Sequence, residues 1–195
     1  MDSHQKRTRM TGERRREQIL DVAHRIIDAE GFHAATPSRI ADAAGVTRPV
    51  PYQQFGDLAG LFVALIDREA NRAAQHTADA VTTPEGADPF VASFHAVLDA
   101  IDAHPATWRL FLVFPAGAPP ELHERLEQAK DTARAFLEQQ LVATFPGMPD
   151  PEYTARMIHA AGHELFRQRL IDPDHATPER LLALIQRMRE WVQPR

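Results

Sequence analysis

The chain has 195 residues, of which 44% are hydrophobic and 25% charged, and it contains no cysteine. That is the composition of a water-soluble globular chain, and it excludes disulfides and thiolate metal sites. No uninterrupted apolar run approaches the ~20 residues of a membrane helix, and no apolar stretch of the secretory kind follows the basic N-terminus, so the expected location is the cytoplasm, with no membrane partner.

The formal net charge of −5 does not by itself mark a nucleic-acid binder, but the charges are unevenly placed. Lys6, Arg7, Arg9, Arg14, Arg15 and Arg16 crowd the front, opposed by Asp2, Glu13 and Glu17, and the acidic surplus lies downstream. Such a front either meets phosphate or is a solvated tail leading into an ordinary helix face.

The pattern that follows is helical throughout. A first helix is predicted over 11–30, with Ile19, Val22, Ala23, Ile26 and Ile27 on one stripe. A short helix over 37–44 follows, then a turn at Gly45-Val46, then a problematic stretch, "RPVPYQQ", over 48–54. A long helix starts near residue 57 and runs towards 82, with Leu58, Leu61, Phe62, Leu65 and Ile66 at helical spacing. After a linker, helices are predicted over 89–103, 105–113, 120–144, 151–170 and 178–192. Four of the starts pair a capping side chain with proline: Thr36-Pro37, Asp88-Pro89, Asp150-Pro151 and Thr177-Pro178. Proline at the first helical position loses no hydrogen bond, because that N–H has no partner within the helix. His104-Pro105 is a weaker version of the same signal.

Two short helices joined by a glycine turn, with a longer helix before them, form a plausible DNA-reading unit, since a helix fits the major groove and a second one braces it. In "SRIADAAGVTRPVPYQQF", Ile40, Ala41 and Ala44 face inward, Gly45 turns the chain, Val46 plugs the core, Thr47 caps the reading helix and Phe55 closes the core behind it. These residues, in this order, resemble the TetR family of bacterial transcriptional regulators. The resemblance rests on Thr36, Ile40-Ala41, Ala44-Gly45-Val46-Thr47, Tyr52 and Phe55, with Gly31, Phe32 and Thr36 as the joint before them. Downstream, "HPATWRLFLVFPAGAPPELHERL" and "LIDPDHATPERLLALI" are similar to an actinobacterial branch of that family.

The sequence departs from the family at two places. Leu58 stands where a phosphate-binding lysine is usual, and Pro51 stands where an inward leucine is usual. With Thr47 as cap, Pro49 needs no N–H, whereas Pro51 removes the first intrahelical bond. A distorted or 3₁₀-like first turn is therefore expected.

The implied fold is all-α, with an N-terminal helix-turn-helix domain over 1–56 and a helical effector-binding and dimerisation domain over 57–195. The implied function is that of a ligand-responsive regulator, in this family most often a repressor. It would read a palindromic double-stranded DNA operator as a homodimer and be released by a small molecule. Arg48 is the foremost base reader, because arginine matches guanine bidentately, and Pro49 and Val50 suit a thymine methyl. Thr36, Arg39, Thr47, Tyr52, Gln53 and Gln54 suit phosphate or, for Gln53, a base edge. Arg7 and Arg9 suit the minor groove or the backbone. For Tyr52, core packing is the competing role.

The helices over 151–170 and 178–192 are the implied dimer elements. Ala160, Ala161 and Gly162 permit close approach, and Leu181, Leu182, Leu184, Ile185, Met188, Trp191 and Val192 exceed what one buried stripe needs. Candidate effector-pocket residues are Phe94, His95, Trp108, Phe111, Phe114, Phe136, Met157, His159, His163 and Phe166. They suit a small, mostly apolar ligand, or individually belong to the core.

His159 and His163 share a helix face at metal-ligand spacing with Glu164 adjacent, but no third ligand is apparent. No metal and no cofactor is expected, and no enzyme constellation stands out. Three alternatives remain: a regulator without a small-molecule effector, a metal-dependent helical protein using His159 and His163, and a nonspecific DNA-compacting protein.

Overall fold

The protein was analysed as a computed structural model, which describes residues 10–80, 88–114 and 117–192. Among the described residues every regular element is helical. The order is α1 (Gly12–Glu30), a 3₁₀ turn (Phe32–Ala34), α2 (Pro37–Ala44), α3 (Pro49–Phe55), α4 (Leu58–Ala80), α5 (Pro89–Ala103), α6 (Pro105–Leu112), α7 (Pro120–Thr144), α8 (Pro151–Ile171) and α9 (Pro178–Val192). The capping side chains act at the expected starts. Thr36 accepts from the Arg39 N–H, Asp88 from Phe90 and Val91, Asp150 from Tyr153, and Thr177 from Arg180. His104 gives α6 no side-chain cap.

The first core joins α1, α2, α4, α6 and α7. Ile19, Ile27, Ile40, Leu61, Leu65, Leu110 and Leu122 are almost wholly buried in it. At its centre Phe32 packs edge-on against Phe62, with centroids 5.1 Å apart, and against Phe114 at 6.0 Å. A second core lies among α5, α7, α8 and α9, around Phe90, Phe94, Leu141, Ile158 and Ile185. Gly162 belongs to this core: a Cβ there would stand 3.0 Å from the Phe94 ring. The expectation that Gly162 serves an intermolecular approach is therefore corrected, since its bare face is already filled from within the chain.

Among the described residues one carboxyl group is sealed inside. Glu69 on α4 has 0% exposure and accepts from Thr107 Oγ1 of α6 at 2.6 Å. Arg68 Nε and Arg72 Nη1 each donate to its other oxygen at 3.0 Å. His24 of α1 places Nδ1 3.6 Å from that oxygen and donates through Nε2 to the Ala106 carbonyl at 3.2 Å. Arg68 continues outward to Glu17 and Asp21 of α1. A buried carboxylate without such partners would be strongly unfavourable, so this cluster fixes α1, α4 and α6 to one another. Arg109 reinforces the same joint with two bonds to Asp28, at 2.6 and 2.9 Å.

Thr107→Val keeps the shape of the side chain and removes the donor to Glu69. It is expected to lower unfolding free energy by about 1–3 kcal/mol, measured by urea denaturation.

Candidate nucleic-acid interface

The turn between α2 and α3 is built by Gly45. Its φ of 63° and ψ of 38° lie in the left-handed region, where a side chain is disfavoured. The Val46 N–H reaches back to the Ala41 carbonyl at 3.0 Å and the Gly45 N–H to Asp42 at 3.2 Å. Val46 also packs onto the first core. Two back-bonds with an apolar contact form a Schellman ending, which sets the direction in which the chain enters α3.

The start of α3 differs in detail from the sequence reading. The helix begins at Pro49, Arg48 rather than Thr47 takes the capping position, and no side chain caps it. The Thr47 carbonyl that Pro51 cannot serve is instead bonded by the Val50 N–H, at 2.9 Å. That contact spans three residues, so the first turn is 3₁₀-like, as expected. Pro51 itself is buried, filling the inward position of an apolar side chain.

Because α3 has barely two turns, its end is tied by α1. Arg16 Nη1 donates to the Gln54 carbonyl at 2.7 Å, and its guanidinium lies 4.2 Å from the Phe55 ring centroid. Gln18 Nε2 donates to the Ala44 carbonyl, at the end of α2, at 3.0 Å. The sequence reading counted Arg16 with the basic front and did not single out Gln18. Both satisfy carbonyls that short helices leave open. Gly60 completes the arrangement, since a Cβ there would fall 2.3 Å from the Phe55 carbonyl oxygen. Asp57 caps α4 through the Gly60 N–H at 2.7 Å.

The result is a helix with two faces. Arg48, Pro49, Tyr52 and Gln53 are exposed, and their spacing puts them on one side. Val50, Pro51 and Phe55 turn to the core, with Val50 half-buried. Tyr52 is 48% exposed, so its ring is not a core element. Gln54 is half-buried, with its carbonyl engaged by Arg16. Among the described residues Arg48 makes no side-chain hydrogen bond or ion pair.

Thr36 and Thr47 are exposed on either side of α2. Arg39 is exposed but forms a bidentate pair with Glu30, one arm at 2.8 Å. Leu58 packs on the first core. Arg7 and Arg9 lie outside the described residues.

The expected pocket residues do not all converge. Phe111, Phe114 and His163 line a cavity of about 140 Å³ between α6, α7 and α8, together with Leu112, His123, Leu126, Glu127 and Lys130. Phe94 and Phe166 pack together in the second core, 5.7 Å apart. Trp108 is partly buried on α6. His95 is exposed and pairs with Asp99 at 2.9 Å, while Phe136 and Met157 are 62% and 53% exposed. These three stand at the surface, which corrects their grouping with an interior pocket: a periodic apolar pattern does not say which neighbour covers it.

The His159 and His163 rings lie 6.4 Å apart, and among the described residues no group of three potential ligands surrounds them. Glu164 is engaged by Arg167 and Gln168 on its own helix, which holds its carboxyl at about 2. His159 is pushed below its ordinary value by burial first and then by the neighbouring Arg134, His163 and Lys130.

Three comparisons bear on this geometry. The sequence profile described as "Bacterial regulatory proteins, tetR family" matches residues 19–65, which contain α2, α3 and the turn between them. The HTH-type transcriptional activator FasR of Mycolicibacterium smegmatis is 28% identical over 63% of this chain and 57% of its own length. The HTH-type transcriptional repressor AcnR of Corynebacterium glutamicum is 37% identical over 31% of this chain and 32% of its own. The chain thus spans under two thirds of either relative. A transcriptional regulator from Rhodococcus sp. Rha1 has the same fold, with a TM-score of 0.71 at 18% identity, covering 91% of this chain and 95% of that one.

Arg16→Ala removes the tie at the end of α3 and the ring contact together. It is expected to lower stability by about 1–2 kcal/mol, measured by thermal denaturation, whereas Arg48→Ala leaves the melting temperature unchanged.

Proposed function

The chain belongs to the TetR family, and from that premise we propose that it reads a palindromic DNA operator as a homodimer and is controlled by a small effector. The observation that carries the reading is the exposed row Arg48, Pro49, Tyr52 and Gln53, on a helix whose other face and far end are held by the core and by α1. In this assignment Arg48 reads a guanine edge and Gln53 a second base. Thr36, Thr47, Tyr52 and the backbone around Gln54 sit against phosphates. Arg39 reaches phosphate by exchanging Glu30 for it. Arg7 and Arg9 extend the contact to the minor groove or backbone. Val50 contributes less, because half of it is spent on packing.

Residues 1–56 form the reading domain and 57–195 the effector and dimer domain in this proposal. The first core crosses that division through Leu110, Leu122 and Leu126, which supports mechanical coupling between the two.

The dimer face is proposed on α8 and α9. Tyr153 and Met157 are 69% and 53% exposed on α8, and Leu184 and Trp191 are 38% and 74% exposed on α9. Their spacings of four and seven residues make a stripe on each helix. Two such copies would set two reading helices about one DNA turn apart.

Repression is the family's common mode, but the names of the two relatives include one activator and one repressor, so the sign is left to experiment. No described helix is long and apolar enough to cross a membrane, and a DNA-bound regulator would work in the cytoplasm. A second reading, control without a small molecule, is favoured by one observation. The cavity between α6, α7 and α8, about 140 Å³, is below the usual ~300–1,000 Å³ of ligand pockets.

Selection of bound sequences from a random DNA pool tests the proposal. A palindrome with two half-sites is expected, and enrichment of no common sequence refutes a sequence reader. Against the selected site, Arg48→Ala should cost about 1–3 kcal/mol and relax preference at one position per half-site, measured by fluorescence anisotropy.

A further inference from the structure

The small cavity between α6, α7 and α8 is lined by side chains of two chemical kinds. Phe111, Leu112, Phe114 and Leu126 are apolar, and Lys130, His163, Glu127 and His123 are polar, with His123 packed on Phe114. Its volume of about 140 Å³ matches that of an apolar protein cavity, about 150 Å³, that accepts a single benzene ring. A long acyl chain has no room in it.

The polar side chains are rich in donors. Lys130 Nζ donates to Glu127 Oε1 at 2.7 Å, which neutralises the carboxylate on the rim. The imidazole of His163 has no hydrogen-bond partner among the described residues. One turn away on α8, His159 stands 6.4 Å from it, ring to ring, with Arg134 close enough to act on it electrostatically. Lys130 and Arg134 are each paired with a carboxylate of their own helix, Glu127 and Asp131, and such donors can be shared with an incoming acceptor that carries negative charge.

We propose that this cavity binds a carboxylic acid of one-ring size, its ring against Phe111, Phe114 and Leu126 and its carboxylate at His163 and Lys130. The incoming carboxylate competes with Glu127 for the ammonium group. The inference rests on the regulator reading only for its consequence, which runs through Phe114. That residue has a φ of 49°, a conformation that strains any side chain but glycine. Its ring lies 5.3 Å from His123 at the cavity and 6.0 Å from Phe32 of the first core. Phe32 stands in the turn that leads into α2. A ring lodged beside Phe114 is thus linked through Phe32 to the turn before α2.

The test titrates the full chain with sodium benzoate, with benzyl alcohol and decanoate as comparisons, by isothermal calorimetry. Saturable benzoate binding at one site per chain is expected, tighter than benzyl alcohol by about tenfold or more. Lys130→Gln combined with His163→Asn is expected to close most of that gap. Absence of saturable benzoate binding overturns the site. Equal affinity for benzyl alcohol overturns the carboxylate, and tighter binding of decanoate overturns the size. Circular dichroism checks that the double variant is folded, and the comparison of the three compounds on the unaltered chain stands without it. DNA selection is run on ligand-free protein, so its failure strikes the regulator reading and leaves the ligand result intact.

Discussion

The buried carboxylate of Glu69 constrains the rest of the molecule. An ionisable group with 0% exposure is tolerated only when its lone pairs are matched, and here the matching groups come from three helices. Thr107 belongs to α6, Arg68 and Arg72 to α4, and His24 to α1. Sliding any one of these helices by a turn would strip the carboxylate of a partner. The cost of that mismatch keeps α1, α4 and α6 in one register. Everything that α1 does for the reading helices, through Arg16 and Gln18, is therefore done from a fixed base.

Much of the reading half was legible in the sequence because its signals are local. A capping residue and the proline after it announce a helix start within two positions, and Thr36-Pro37 did so. Gly45 announced the turn for the same reason, since glycine enters the left-handed conformation needed there without steric cost. Pro51 was legible as a lost hydrogen bond, and its burial shows how the loss is offset: the ring occupies the core. Arg16 and Gln18 were not legible. Their partners are 38 and 26 residues away, and nothing near an arginine on a basic helix says that it will serve a distant carbonyl. Glu69 was missed for a related reason. On a polar helix a glutamate reads as a solvated charge until its neighbours from other helices are known.

The body of the protein was legible in outline and not in its lining. Helix order and starts follow from the same capping signals. The aromatic residues, however, carry only a period, and a period marks a face without naming what covers it. Phe94 turned out to meet Phe166 and Gly162 within the chain. Phe136 and Met157, on equally apolar-looking stretches, stand at the surface. The small cavity gathers residues from α6, α7 and α8, and such a set forms no pattern in any one segment.

The division of α3 into two faces has a consequence for how such a reader changes over time. The residues that hold the helix (Pro51, Phe55, Arg16, Gly60) share no position with those that are exposed (Arg48, Pro49, Tyr52, Gln53). Two properties that usually trade against each other are thus written in separate letters. On the proposed assignment, a lineage rewrites its address on DNA by exchanging the outward letters while the mounting stays in place. If those four positions read DNA as proposed, the same separation makes α3 a replaceable cassette, in which a new operator is programmed without disturbing the scaffold.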